Sequence, residues 1–211
     1  MQAIIDEINQ DFAAKSEVRD KTLRRSRELI GHCANAIRAT HRGDRTEADR
    51  LLTTAKTIAA EMIKEARQFP DIYYAGYTQD ALKELAEAYL TQALILEMPP
   101  PTPAALNIEN AAYVNGMAEA VGELRRYALD SLRRGDVETG ERMLEIMDEI
   151  YTGLITVDFP SAITSGLRRN TDIARSILER TRGDVTTAAR QEAMKNALAS
   201  FEERVKGLGN S

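Results

Sequence analysis

Residues 51–70 read Leu-Leu-Thr-Thr-Ala-Lys-Thr-Ile-Ala-Ala-Glu-Met-Ile-Lys-Glu-Ala-Arg-Gln-Phe-Pro. Leu51, Leu52, Ala55, Ile58, Ala59, Met62, Ile63 and Ala66 recur at helical intervals and line one face, the signature of an amphipathic helix. Phe69-Pro70 ends it, because proline disfavours helical backbone at the residue before it. The same period runs upstream through Ile4, Ile5, Ile8 and Phe12, then Leu23, Ile30, Cys33 and Ile37. It stops at Arg42-Gly43-Asp44, where glycine suits a C-terminal cap. Downstream, a third helix is expected from about Thr78 to Glu97, and Met98-Pro99-Pro100-Pro101-Thr102-Pro103 is a stiff extended break. A fourth is expected from about Ile108 to Arg134, stopped by Gly135-Asp136, and a fifth to about Thr156. Phe159-Pro160 opens a sixth, Arg182-Gly183-Asp184 punctuates again, and a seventh runs to about Lys206. No strand-like alternation competes. The expectation is an all-α, antiparallel bundle of about seven helices forming a single domain over residues 1–211.

Composition narrows the function classes. Of 211 residues, 43% are hydrophobic and 29% charged, enough apolar material for a packed core, so disorder is not expected. The net charge of −5 excludes a global positive field, and any nucleic-acid contact must use a local basic patch. The single cysteine, Cys33, excludes an intramolecular disulfide and a cysteine zinc site; its place on an apolar stripe reads as core. His32 and His41 leave little for a histidine metal site, and neither follows a glutamate by three residues as the di-iron bundles require. No apolar run is long enough to span a bilayer, and the opening MQAIIDEINQ is unlike a secretory leader, so a soluble, cytoplasmic protein without a membrane partner is expected.

The candidate chemistry lies on the third and fourth helices. Glu84 and Glu87 are three apart and share a face at the start of a helix that becomes apolar almost all round. Glu119 and Glu123, four apart, share a face of the next, with Gly116 and Gly122 as neighbours. Each mid-helix glycine costs about 1 kcal/mol relative to alanine, and such glycines often mark close approach by another backbone or a ligand. Side by side, the two helices would present four carboxylates, which cannot all remain ionised without compensation. All-oxygen donors suit Mg²⁺ or Mn²⁺, ions that activate water and clamp a phosphate. The plainer alternative is that all four glutamates are solvated, since Glu119 and Glu123 stand off the Met117, Val121, Leu124, Ala128 stripe.

Basic residues cluster early at Arg19, Lys21, Arg24, Arg25 and Arg27, then Arg38 and Arg42. They read either as a phosphate-binding groove or as the solvated face of a charged helix. Tyr73, Tyr74 and Tyr77, beside Gly76, read either as platforms for unpaired bases or as packing anchors. Arg168, Arg169, Arg175, Arg180 and Arg182 make a second basic stretch.

Over nearly its whole length the chain resembles the translin/Trax family, the Trax branch more closely. The resemblance is carried by Ser26-Arg27-Glu28-Leu29 with Thr40-His41-Arg42, by Phe69-Pro70 with Tyr73-Tyr74, and by Glu84-Leu85-Ala86-Glu87-Ala88. Further on it is carried by Tyr113-x-x-Gly116-x-Ala118-Glu119-x-x-Gly122-Glu123-Leu124-x-Arg126, Ser131-x-x-x-Gly135-Asp136 and Leu167-Arg168-x-x-x-Asp172. It implies a helical bundle that assembles into an oligomeric shell, an octamer being favoured, here as a homo-oligomer. It implies binding of single-stranded RNA, and of single-stranded DNA; the early basic cluster and the tyrosines supply Lys21, Arg24, Arg25, Arg38, Arg42, Tyr73, Tyr74 and Tyr77 as the candidate contacts. It implies a Mg²⁺- or Mn²⁺-dependent endoribonuclease whose catalytic and metal-holding residues carry over to Glu84, Glu87, Glu119 and Glu123. Where Trax has aspartate this chain has Glu119, one methylene longer, and the Pro99–Pro103 loop replaces a longer Trax insertion. The alternative within the family is a translin-like protein that binds single-stranded nucleic acid without cutting it.

Overall fold

The computed structural model describes residues 1–209, with side chains through residue 206; these residues are mostly helical and contain no strand. The long helices are α1 (Gln2–His41), α2 (Arg45–Ala66), α4 (Gly76–Ile95), α6 (Asn110–Arg133), α7 (Val137–Leu154) and α9 (Leu167–Gly209). Single turns α3 (Pro70–Tyr73), α5 (Pro103–Leu106) and α8 (Ser161–Thr164) lie between them. No described helix is long and apolar enough to cross a membrane.

Local chemistry places the breaks. Gly43 and Gly135 take φ of +74° and +81°, which closes α1 and α6 with left-handed caps. The amides of Asp44 and Asp136 then donate back to the carbonyls of Ala39 and Ser131 at 3.0 Å each. The same aspartates cap the next helices, accepting from the amides of Glu47 at 3.1 Å and Thr139 at 3.0 Å.

The third Arg-Gly-Asp behaves differently. α9 runs unbroken through Arg182-Gly183-Asp184, so the expected sixth and seventh helices are one helix preceded by the single turn α8. The break falls earlier, at Ser165 and Gly166, with φ of +51° and +83°. At residue 183 the tertiary setting prevails over the glycine. Asp184 is held by Arg125 at 2.9 Å, and Ala174, Leu178, Thr181 and Val185 are buried along that stretch of α9. That packing offsets the roughly 1 kcal/mol a mid-helix glycine costs.

Two compact units result: Met1–Ala120 with Phe159–Arg168, and Val121–Asp158 with Arg169–Ser211. In the first, α1 packs on α2 and α4. Leu29, Cys33, Leu52, Met62, Ile63, Leu82, Leu85 and Leu90 form its centre. Buried Ala36, Ala39, Ala55, Ala59, Ala66, Ala81 and Ala86 let these helices approach closely. In the second, Leu124, Ala128, Met143, Met147, Ile150 and Leu178 make the core.

Candidate metal centre

The site is built where α4 meets α6. A methyl group added at Gly116 would stand 2.6 Å from the Lys83 carbonyl oxygen, 2.8 Å from Ala86 Cβ and 2.9 Å from the Glu87 amide nitrogen. Only glycine allows this approach, so here the mid-helix glycine marks the crossing of two backbones. Gly122 has no such role: its nearest added-methyl contact is Ile177 Cδ1 at 4.0 Å, an ordinary distance.

From that crossing Glu84 and Glu87 project one helical turn apart, and Glu119 stands three residues beyond Gly116. All three are half-buried, and one carboxylate oxygen from each lies within 4.8 Å of the others. Lys83 reaches across from α4 and donates from Nζ to Glu119 Oε1 at 2.7 Å. Burial, and then the nearby charge of Glu119, push the Glu84 carboxyl above its ordinary value. Burial works against the Lys83 ammonium. The hydrogen bond to Glu119 and the charges of Glu119, Glu84 and Asp80 outweigh it and hold that group above its ordinary value. Behind the glutamates, the Cys33 thiol is pushed up by its burial and by the charges of Glu84 and Glu87. It is a core residue, not a nucleophile.

Three close oxygen donors without nitrogen or sulfur, partly withdrawn from water, match the coordination chemistry of Mg²⁺ and Mn²⁺. Glu123 falls in the second unit, 3.8 Å from Arg126, and the trio forms without it. Lys83 was not legible as part of the site. It stands in the same helical segment as Glu84, but linear spacing does not reveal that its ammonium crosses to α6.

The remaining candidates separate into paired and open groups. Lys21 pairs with Glu17 at 2.6 Å, and Arg25 with Glu65 at 2.7 Å and Glu61 at 3.4 Å. The Arg25 guanidinium holds Glu65 below the usual carboxylate range. Arg38 donates to Asn35 at 2.8 Å and remains exposed, as do Arg24 and Arg42. Tyr73 is 3% exposed and donates its hydroxyl to Glu109 Oε1 at 2.8 Å, with Arg67 over its ring, so it is a packing anchor. Tyr77 is half-buried against the core, and Tyr74 is exposed with its ring edge-on to Tyr73. Of the three candidate tyrosines, Tyr74 is the exposed one.

No family model matches the chain. An uncharacterized protein of Methanocaldococcus jannaschii is 31% identical over 189 residues, which cover 87% of this chain and 83% of that protein. Among solved structures, AfC3PO in complex with duplex RNA is similar at 36% identity and a TM-score of 0.82. AfC3PO alone is similar at 35% identity and a TM-score of 0.81. Both alignments cover 90% of this chain and 98% of the other. Apo-NeC3PO, 19% identical, shares the fold at a TM-score of 0.79 over 87% of this chain and 96% of its own.

Proposed function

The chain belongs to the translin/Trax (C3PO) family, and from that premise we propose that it is a divalent-cation-dependent endoribonuclease. The observation that carries the reading is the glycine-permitted crossing that brings Glu84, Glu87 and Glu119 within 4.8 Å. In this reading those three hold Mg²⁺ or Mn²⁺. The family resemblance adds Glu123 as a fourth carboxylate, to be tested separately. When bound, the cation supplies Lewis acidity at a scissile phosphodiester and neutralises the charge that develops there. The chain's residues would orient that cation, and one of the glutamates would accept a proton from the attacking water. Lys83 fixes the position of Glu119.

RNA as substrate class rests on the similarity to AfC3PO, solved with duplex RNA. Single-stranded RNA is the proposed substrate here, with single-stranded DNA as a further ligand. Exposed Arg24, Arg38, Arg42 and Tyr74 are the proposed contacts, because their charges and ring are available without unfolding. Homo-oligomeric assembly is supported by apolar faces the single chain leaves open. These are Ile4, Ile5, Ile8 and Phe12 on α1, and Met194, Leu198, Phe201 and Val205 on α9. The octamer is the count that the family resemblance implies.

The test is cleavage of labelled single-stranded and duplex RNA with Mg²⁺, with Mn²⁺ and with EDTA, beside Glu84→Gln and Glu123→Ala. Metal-dependent products lost in Glu84→Gln support the proposal. RNA bound but uncut in every condition replaces it with a translin-like binding protein, and loss in Glu123→Ala adds that residue to the set.

A further inference from the structure

The carboxylate cluster carries its own cation. Three acidic side chains within 4.8 Å repel one another, and none is fully in water. Lys83 Nζ lies 2.7 Å from Glu119 Oε1, and the two side chains are only 21% and 30% exposed. The lysine is also pinned at its root. Its own carbonyl oxygen is the atom that a Cβ on Gly116 would meet first, at 2.6 Å, so the backbone that launches the side chain lies tight against α6. Its ammonium is therefore delivered across the crossing without the loose search of a surface lysine.

We propose that Lys83 is a built-in counter-cation: it holds Glu119 among the other carboxylates when no divalent ion is present, and competes with such an ion for Glu119. This rests on the reading of the trio as a divalent-cation site. Lys83 is thereby a positioning residue that sets metal affinity below what the carboxylates alone would give. A divalent ion entering the trio must share or displace the Lys83 contact, and the positive charge of Lys83 opposes its entry.

The experiment is a Mn²⁺ titration of the full chain, read by the paramagnetic resonance of unbound Mn²⁺. It compares wild type with Lys83→Met, Lys83→Gln and Lys83→Arg at mildly alkaline pH, each confirmed helical by circular dichroism. Thermal melting in EDTA is measured in parallel. Lys83→Met and Lys83→Gln are expected to bind Mn²⁺ roughly tenfold more tightly and to melt a few degrees lower in EDTA. Lys83→Arg, which keeps the charge, is expected to retain wild-type values in both. A purely structural lysine would lower the melting temperature without tightening Mn²⁺ binding. Wild-type binding that is unchanged or weakened in Lys83→Met therefore overturns the counter-cation role while leaving the metal site standing. Absence of Mn²⁺ binding in every variant overturns the metal site and the competition together.

Discussion

Helix α6 carries two cross-helix ion pairs, one in each unit, and their surroundings differ. In the first, Glu119 meets Lys83 of α4 beside a glycine crossing, with carboxylate oxygens of Glu84 and Glu87 within 4.8 Å. In the second, Arg125 meets Asp184 of α9 at 2.9 Å and donates to Thr181 Oγ1 at 2.9 Å. There one guanidinium faces one carboxylate and one hydroxyl, and the nearby Gly122 has no close neighbour. A balanced pair is a strut. A pair set among further half-buried carboxylates is the place where we propose that a cation binds.

Removing one acid of the trio gives the largest expected separation between the two. Glu84→Gln should lower RNA cleavage by about a hundredfold or more while leaving the melting temperature unchanged or raised. A drop in melting temperature with cleavage intact would make Glu84 structural. Gly116→Ala comes next. Its methyl group meets backbone rather than a yielding side chain, so about 2 kcal/mol of stability should be lost, along with Mn²⁺ binding, as read by urea unfolding and metal titration. Arg125→Ala should do the reverse, costing about 1 kcal/mol and leaving Mn²⁺ affinity as it was.

A smaller effect follows from the raised carboxyl of Glu84. The fold favours its protonated form. That contribution is fully present below the ordinary value of 4.5 and is lost as pH rises through the raised value. Melting curves of wild type and Glu84→Gln without metal should therefore diverge in favour of glutamine as pH climbs through that window, then run parallel. The smallest change is Gly122→Ala, expected to add at most about 1 kcal/mol. A loss there would mean that both glycines of α6 are spacing devices.

These contrasts also show what could be read from the chain. The stripe from Leu51 to Ala66 predicts α2, because burial of one face is written in local periodicity. The pairing of Glu84 with Glu87 was legible for the same reason. Their meeting with Glu119 was only a possibility, because it depends on which glycine another helix touches. Gly116 and Gly122 look alike in sequence, and only tertiary packing separates them. The three Arg-Gly-Asp triplets teach the same lesson. Identical residues end α1 and α6 yet pass silently through α9, where a distant arginine claims the aspartate. Tyr73 and Tyr74 are neighbours in sequence, one in the core and one in solvent, because the single turn α3 rotates them apart.

The first fourteen residues of α1 have no buried side chain, although the helix continues without interruption to His41. At about 1.5 Å per residue, that overhang extends roughly 21 Å. A helix of this length is marginal in water when nothing packs against it. Amide hydrogen exchange along α1 should accordingly grade from rapid near Ile4 to slow near Cys33, within one unbroken helix. Docking of a partner on the overhang would flatten that gradient while leaving the slow end as it was. The same helix thus holds an occupied reference and an open sensor, and a single exchange profile taken across a dilution series would report when the chain stops being alone.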